Sequence, residues 1–142
     1  MGAELDHDPA AVAAAMFERD RASQHLGIEV VSVEVGRAVL SMTVLPSMVN
    51  GLDVCHGGFL FTLADSAMAF ASNATNERAF ASHADIDFVN AAPLGTRLTA
   101  TATTAVQRGK LMIHDVVVSD DQNVTIAAMR GRTLTVGGSV VA

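Results

Sequence analysis

One carboxylate, Asp65, stands in the middle of the apolar, helix-like part after His56 of the segment NGLDVCHGGFLFTLADSAMAFASNA, residues 50–74. An ionised carboxylate in such surroundings is costly unless it is paired or used. Gly57 lies eight residues before it, followed by Gly58. The spacing after these glycines is helical, so their backbone N–H groups lie at a helix N-terminus with no partner in the helix. Those groups and the helix dipole favour a negative or polarised oxygen there. Glycine also lets a ligand approach the backbone closely. Asn50 and His56 sit in the preceding loop, where their side chains can add donors. An oxygen held by such donors resembles one in an oxyanion hole, which suits acyl transfer. A carboxylate opposite it can activate water as a general base or attack as a nucleophile. Apolar surroundings would raise its proton affinity. Nothing else competes for the role: Cys55 has no evident base partner, and Ser66 and Ser72 read as ordinary helix serines.

The spacing has a further consequence. Eight residues at about 1.5 Å each place Asp65 roughly 12 Å along the helix from Gly57. An attacking group must come within about 3–3.5 Å of the carbonyl carbon. One chain cannot present both parts to one carbonyl, but two antiparallel copies of the helix can. The expectation is a two-fold dimer with two equivalent sites at its interface.

The elements that must position these residues follow from periodicity. Asp8-Pro9 is a helix-start signal. AAVAAAMFERDRASQHL continues the helix to Leu26, Gly27 ends it, and Val12, Met16 and Phe17 give the buried side. IEVVSVEV and RAVLSMTV then alternate and form a hairpin across Gly36-Arg37. LPSMVNGLDVC is a loop with an Asn-Gly turn. The second helix runs from the His56-Gly57-Gly58 triplet to about Ala74, and NERAF is a loop. Four strands follow: AFASHADIDFV, RLTATATTAV, LMIHDVVVS and VTIAAMRGRTLTV, with GGSVVA as a tail. The order predicts one α+β domain over residues 1–142. A curved antiparallel six-stranded sheet would wrap around the long central helix, which is apolar nearly all round and must be enclosed. An N-terminal helix precedes it.

Composition narrows the function. Half of the 142 residues are apolar and 17% are charged, as in a compact globule with surplus apolar surface for a subunit interface. The net charge is −6, there is no basic run, and Trp and Tyr are absent, which argues against a nucleic-acid surface. Cys55 is the single cysteine, so neither an internal disulfide nor a cysteine zinc site is expected, and a reducing cytoplasmic setting fits. MGAELDHDPA is acidic and lacks the apolar run of a signal peptide, and no stretch is apolar for long enough to span a membrane.

The segment NGLDVCHGGFLFTLADSAMAFASN closely resembles the signature of the hotdog-fold acyl-CoA thioesterases of the PaaI group, linked to phenylacetate degradation. LGIEVVSVEVGRAVLSMTV, ASHADIDFVNAAPLGTRLTATA and AAMRGRTLTVGG extend the likeness over nearly the whole chain. The resemblance implies the hotdog fold, in dimers that pair again into homotetramers. It implies that Gly57 polarises the thioester carbonyl and that Asp65 is the catalytic carboxylate, acting across the dimer interface. Asn50 matches a loop amide near the carbonyl, and His56 the histidine beside it. His83 departs from the pattern, which favours a small or neutral residue there, and this bears on the shape of the acyl pocket.

Other residues have weaker signals. Gly58 and Met68 are candidates for the substrate site, and Phe17, Met48 and Phe61 for an acyl pocket, with core packing as the plainer role of each large side chain. Arg108, Lys110, Arg130 and Arg132 can hold the phosphates of coenzyme A or form an ordinary solvated face. His83, Asp85 and Asp87 alternate on one strand face, which without a second cluster reads as a polar face rather than a metal site. The expected activity is hydrolysis of an acyl-CoA to free acid and coenzyme A, without metal or cofactor. Its acyl group would be small to medium, extending to aromatic ones. The competing readings are a hydratase or dehydratase on the same fold and a non-catalytic acyl-CoA sensing module.

Overall fold

The computed structural model describes residues 7–142, so most of the segment read as lacking a leader, residues 1–6, lies outside the described residues. Two helices, α1 (Pro9–Arg19) and α2 (Arg21–His25), lead into strands β1 (Glu29–Glu34) and β2 (Arg37–Thr43). A short 3-10 turn over Pro46–Met48 and a loop deliver the chain to α3 (Gly57–Ser72). Four strands follow: β3 (Glu77–Phe88), β4 (Arg97–Arg108), β5 (Leu111–Ser119) and β6 (Thr125–Ser139). They make one six-stranded antiparallel sheet in the order β1-β2-β4-β5-β6-β3.

The sheet presents its inward residues to α3. Leu40 and Met42 of β2, Leu98, Ala100 and Ala102 of β4, Val116 and Val118 of β5 and Met129 of β6 are all buried there. They meet Leu60, Leu63, Ala64, Ala67, Met68 and Phe70 of α3 in one core. Small residues on β4 and α3 let helix and sheet approach closely. At Gly131 of β6 a Cβ would overlap the Met68 sulfur, so glycine leaves the room that Met68 fills.

Several boundaries differ from those read in the sequence. The expected first helix is two helices, broken at Asp20. The Asp20 carboxylate accepts from the Ser23 N–H at 3.0 Å and the Ser23 hydroxyl at 2.6 Å, capping α2. An aspartate that can bond the backbone locally competes with helix continuation. NERAF is not a loop beyond Asn76, because β3 begins at Glu77. Asn73 fixes that start: its amide accepts from Ala79 N–H and donates to Ala79 carbonyl. At the other end β6 continues through Gly137 and Gly138 to Ser139, and Asn76 holds Val141 by two side-chain bonds. The helix α3 is not enclosed all round. Phe61, Thr62, Asp65, Ser66 and Ala69 form a half-exposed stripe along it, with Phe61 also touching the core.

A polar crosspiece ties three strands from within. His114 of β5 is fully buried, with Nδ1 3.0 Å from the Thr104 hydroxyl and Nε2 2.8 Å from the Thr133 hydroxyl. Burial holds its imidazole below the usual range, against an opposing pull from Asp115. A lowered folded pKa means that the contribution of neutral His114 is present above the unfolded value of about 6.5 and is lost as pH falls from there through the folded value. Denaturant unfolding at stepped pH should therefore lose stability below that value in the wild type. His114→Gln should flatten that limb. At neutral pH the variant should also be weaker by about 1–3 kcal/mol wherever a threonine hydroxyl loses its partner.

Candidate active site

The loop before α3 is built to aim the helix. Val49 bridges Cys55 and Val54 bridges Pro93, while His56 N–H donates to Met48 carbonyl at 2.7 Å. Asn50 closes the turn itself: its Oδ1 accepts from Leu52 N–H at 2.9 Å and Val54 N–H at 3.3 Å. The carboxamide oxygen is thus committed to the loop, and the NH2 end is the part left to donate. His56 is the N-cap of α3, and its Nδ1 accepts from Gly58 N–H at 2.9 Å. This corrects the reading of Gly58 as a ligand donor, since its N–H is already used. Among the described residues the Gly57 N–H meets no acceptor. The structure therefore singles out Gly57 as the free amide at the dipole's positive end.

Gly57 opens into a cleft of about 450 Å³ whose walls include Asn50, Leu60, Phe88 and Asn90. Phe88, the last residue of β3, lies with its ring 3.0 Å from where a Gly57 Cβ would stand. A side chain at residue 57 would have to displace that ring, which gives a concrete reason for glycine there. Phe88 is 55% exposed, a large apolar surface at the mouth of the cleft. Asn90 is fastened by its Nδ2 to Thr125 carbonyl at 2.8 Å.

Asp65 is half-buried on the open stripe of α3, and among the described residues no group of its own chain hydrogen-bonds its carboxylate. Burial pushes its carboxyl above the usual range. Cys55 is buried and its thiol is pushed up by that burial, which makes it a poor nucleophile. The geometry therefore contains a free amide at one end of the helix and an unpartnered carboxylate two turns along. It can polarise a carbonyl at the first and accept a proton at the second.

The sequence model of the Thioesterase superfamily matches residues 52–127, which contain the free amide, the carboxylate and Phe88. The chain belongs to the thioesterase superfamily. Within it the similarity runs to the PaaI group of hotdog-fold acyl-CoA thioesterases. "Acyl-coenzyme A thioesterase PaaI" of Escherichia coli K12 is 40% identical over 126 residues, 89% of this chain and 90% of the relative. The solved structure of the E. coli PaaI protein from the phenylacetic acid degradation operon superimposes with a TM-score of 0.92 over 96% of this chain and 99% of that one. A structure of the phenylacetic acid degradation protein PaaI from Thermus thermophilus, 29% identical, superimposes at 0.79 over 82% and 100% of the two chains.

The remaining candidates of this thioesterase do not gather at the Gly57 cleft. Met68 and Met48 are fully buried in the core, and Met68 packs against Gly131. Met68 is thus a packing residue within the protomer rather than a wall of the cleft. Arg130 and Arg132 project from the side of β6 opposite Gly131, away from α3, and Arg130 Nε bonds Asp115 at 3.0 Å. His83, Asp85 and Asp87 share that outer face, with His83 paired to Arg132 and Asp85 to Arg130 across the ladder. His83 is accordingly outside the cleft, and the expected effect on the acyl pocket has no basis in this protomer. Among the described residues no three His, Cys, Asp or Glu side chains converge as metal ligands would. Arg108 and Lys110 flank the β4–β5 turn. That turn is at the far end of the sheet from Phe88, because Phe88 pairs with Ala127 and Ala127 with Val118.

Phe88 and Asn90 were missed by sequence reasoning. A signal existed: DFVN sits where a strand runs out before Pro93, and a strand-end aromatic after alternating polar residues is a candidate to cover a neighbouring cleft.

Proposed function

We propose that this thioesterase hydrolyses acyl-CoA thioesters to the free acid and coenzyme A, with each site shared between two chains. The thioester oxygen accepts from Gly57 N–H, with the Asn50 carboxamide as a second donor. Asp65 of the partner subunit takes a proton from water as the water oxygen adds to the carbonyl carbon. The tetrahedral intermediate then expels the thiolate as the C–S bond breaks, and the proton held by Asp65 passes to the thiolate, which restores the carboxylate. His56 acts by fixing the helix end. Free Gly57 N–H and unpartnered Asp65, roughly 12 Å apart on one helix, are the observation that carries the reading.

Two surfaces support a partner chain. The stripe holding Asp65 leaves apolar helix surface half-exposed. Strand β3 is a twelve-residue sheet edge that pairs only with β6 among the described residues. A long edge of this kind is a template for pairing. We infer further pairing of dimers into tetramers from the resemblance, and a cytoplasmic setting from the single buried thiol. Among the described residues no helix is long and apolar enough to cross a membrane.

From the resemblance we infer a small to medium acyl group, extending to phenylacetyl-type ones, and the aromatic wall that Phe88 gives the cleft supports this. A thiol-release assay across a panel of acyl-CoAs tests the reading. Release from small and arylacetyl thioesters is expected; binding without release, or hydration of an enoyl-CoA without release, would overturn it. Phe88→Ala should raise KM for arylacetyl-CoA by roughly two- to tenfold while leaving acetyl-CoA nearly unchanged. Steady-state kinetics on the two substrates check this.

A further inference from the structure

Asp65, Ala69 and Asn73 succeed one another at intervals of four residues and so follow one stripe of α3 and its C-cap. From Asp65 the stripe runs roughly 12 Å to Asn73. It ends in a second cleft, of about 530 Å³, built from Met16, Arg19, Asn73, Arg78, Phe80 and Ser139. Arg19, the last residue of α1, donates from Nη2 to Val140 carbonyl at 2.8 Å. The Arg78 guanidinium carbon lies 5.6 Å from the centroid of the Phe80 ring. Neither arginine meets a carboxylate among the described residues, whose salt bridges are Arg97–Glu29 and Arg130–Asp115. The chain carries 15 acidic residues against 9 lysines and arginines, so carboxylate partners are plentiful. Two arginines held at one cleft without one leave N–H donors open to another anion, apart from the Arg19 Nη2 that Val140 takes.

We propose that Arg19 and Arg78 bind the phosphates of the coenzyme A portion of the substrate at the C-terminal end of α3. This rests on the reading that Asp65 acts on the thioester. The pantetheine arm from sulfur to pyrophosphate has about the length of five extended residues, roughly 16 Å. That matches the distance from Asp65 along the stripe to Asn73 plus part of an arginine side chain. Guanidinium forks suit phosphate oxygens bidentately. Phe80, 57% exposed, adds ring surface beside them for the adenine. Arg130 does not compete for the role, since Asp115 already holds it on the outer face of the sheet.

The test compares wild type with Arg19→Gln/Arg78→Gln. Its substrates are a CoA thioester that the wild type turns over and the N-acetylcysteamine thioester of the same acid, which lacks the phosphates. The variant should raise KM for the CoA thioester by roughly tenfold or more. Its kcat, and both constants for the short thioester, should stay unchanged. Calorimetry with adenosine 3′,5′-bisphosphate should show binding to the wild type and its loss in the variant. Equal shifts for both thioesters, or no shift for either, would overturn the assignment. So would a wild type that does not bind the bisphosphate. Arg78→Gln alone keeps the Arg19–Val140 bond and should weaken bisphosphate binding in the same direction, so the test survives misfolding of the double variant. A wild type that cleaves no thioester would overturn the thioesterase reading instead, and the calorimetry would still decide the phosphate site.

Discussion

Asp65→Asn should lower kcat by about 10²- to 10⁴-fold, the range associated with a positioned general base, with little change in KM. Asparagine keeps the shape and loses only the ability to take a proton. The half-buried carboxylate has its proton affinity raised by burial, so the acid limb of the wild-type rate profile should lie above the range of an ordinary aspartate. Activity should rise with pH through that limb, because the ionised form is the base. Stability moves the other way. A folded pKa raised above the unfolded one means that the favourable contribution is present at low pH and is lost as pH rises through the folded value. Asp65→Asn should therefore be at least as stable as wild type at neutral pH. Thermal unfolding and steady-state kinetics on the same preparation check both halves. A variant that is inactive because it unfolds would show the opposite sign in the melt.

Gly57→Pro should reduce kcat by roughly 10²- to 10³-fold, the loss that follows removal of one oxyanion donor. Proline deletes the N–H and is otherwise suited to the site. The first position of a helix tolerates it well, since the N–H there has no partner in the helix. The residue before a proline favours extended backbone, and His56 already adopts φ −60°, ψ 135°. The added ring atoms must displace Phe88, whose ring lies 3.0 Å from the Cβ position. Gly57→Ala is the control for that effect, because alanine displaces the ring but keeps the N–H. Alanine should change KM through the cleft wall and leave kcat within a few-fold of wild type. Equal losses in the two variants would place the effect in crowding rather than in the amide.

The central features of the fold were legible because they are repeated signals. Alternation in VVSVEV, TATATT and IHDVVV, and the mostly apolar run after His56, state two strand faces and a core helix many times over. The ends were less legible because they depend on single side chains. Asp20 breaks a helix that propensity would continue, and Asn73 starts β3 at a charged pair, Glu77-Arg78, that reads as a loop. The site divided in the same way. Gly57, Asn50 and Asp65 announce themselves by type and spacing along one segment. Which of the two glycine amides is free depends on the orientation of His56, a rotamer that no spacing states. Phe88 reaches Gly57 only through tertiary folding, from more than thirty residues away. The arginine candidates lie away from the Gly57 cleft for a related reason. Sequence shows where positive charge lies, but not that Asp115 claims Arg130 while Arg19 and Arg78 converge on one cleft.

The claim that two chains build each site is tested most directly by mixing Gly57→Pro and Asp65→Asn subunits, each inactive alone, under conditions of subunit exchange. Each mixed dimer would hold one site with both functional parts intact, so random mixing should restore roughly a quarter of wild-type activity. A mixture no more active than the two parents, in a preparation shown to have exchanged, would contradict the shared site.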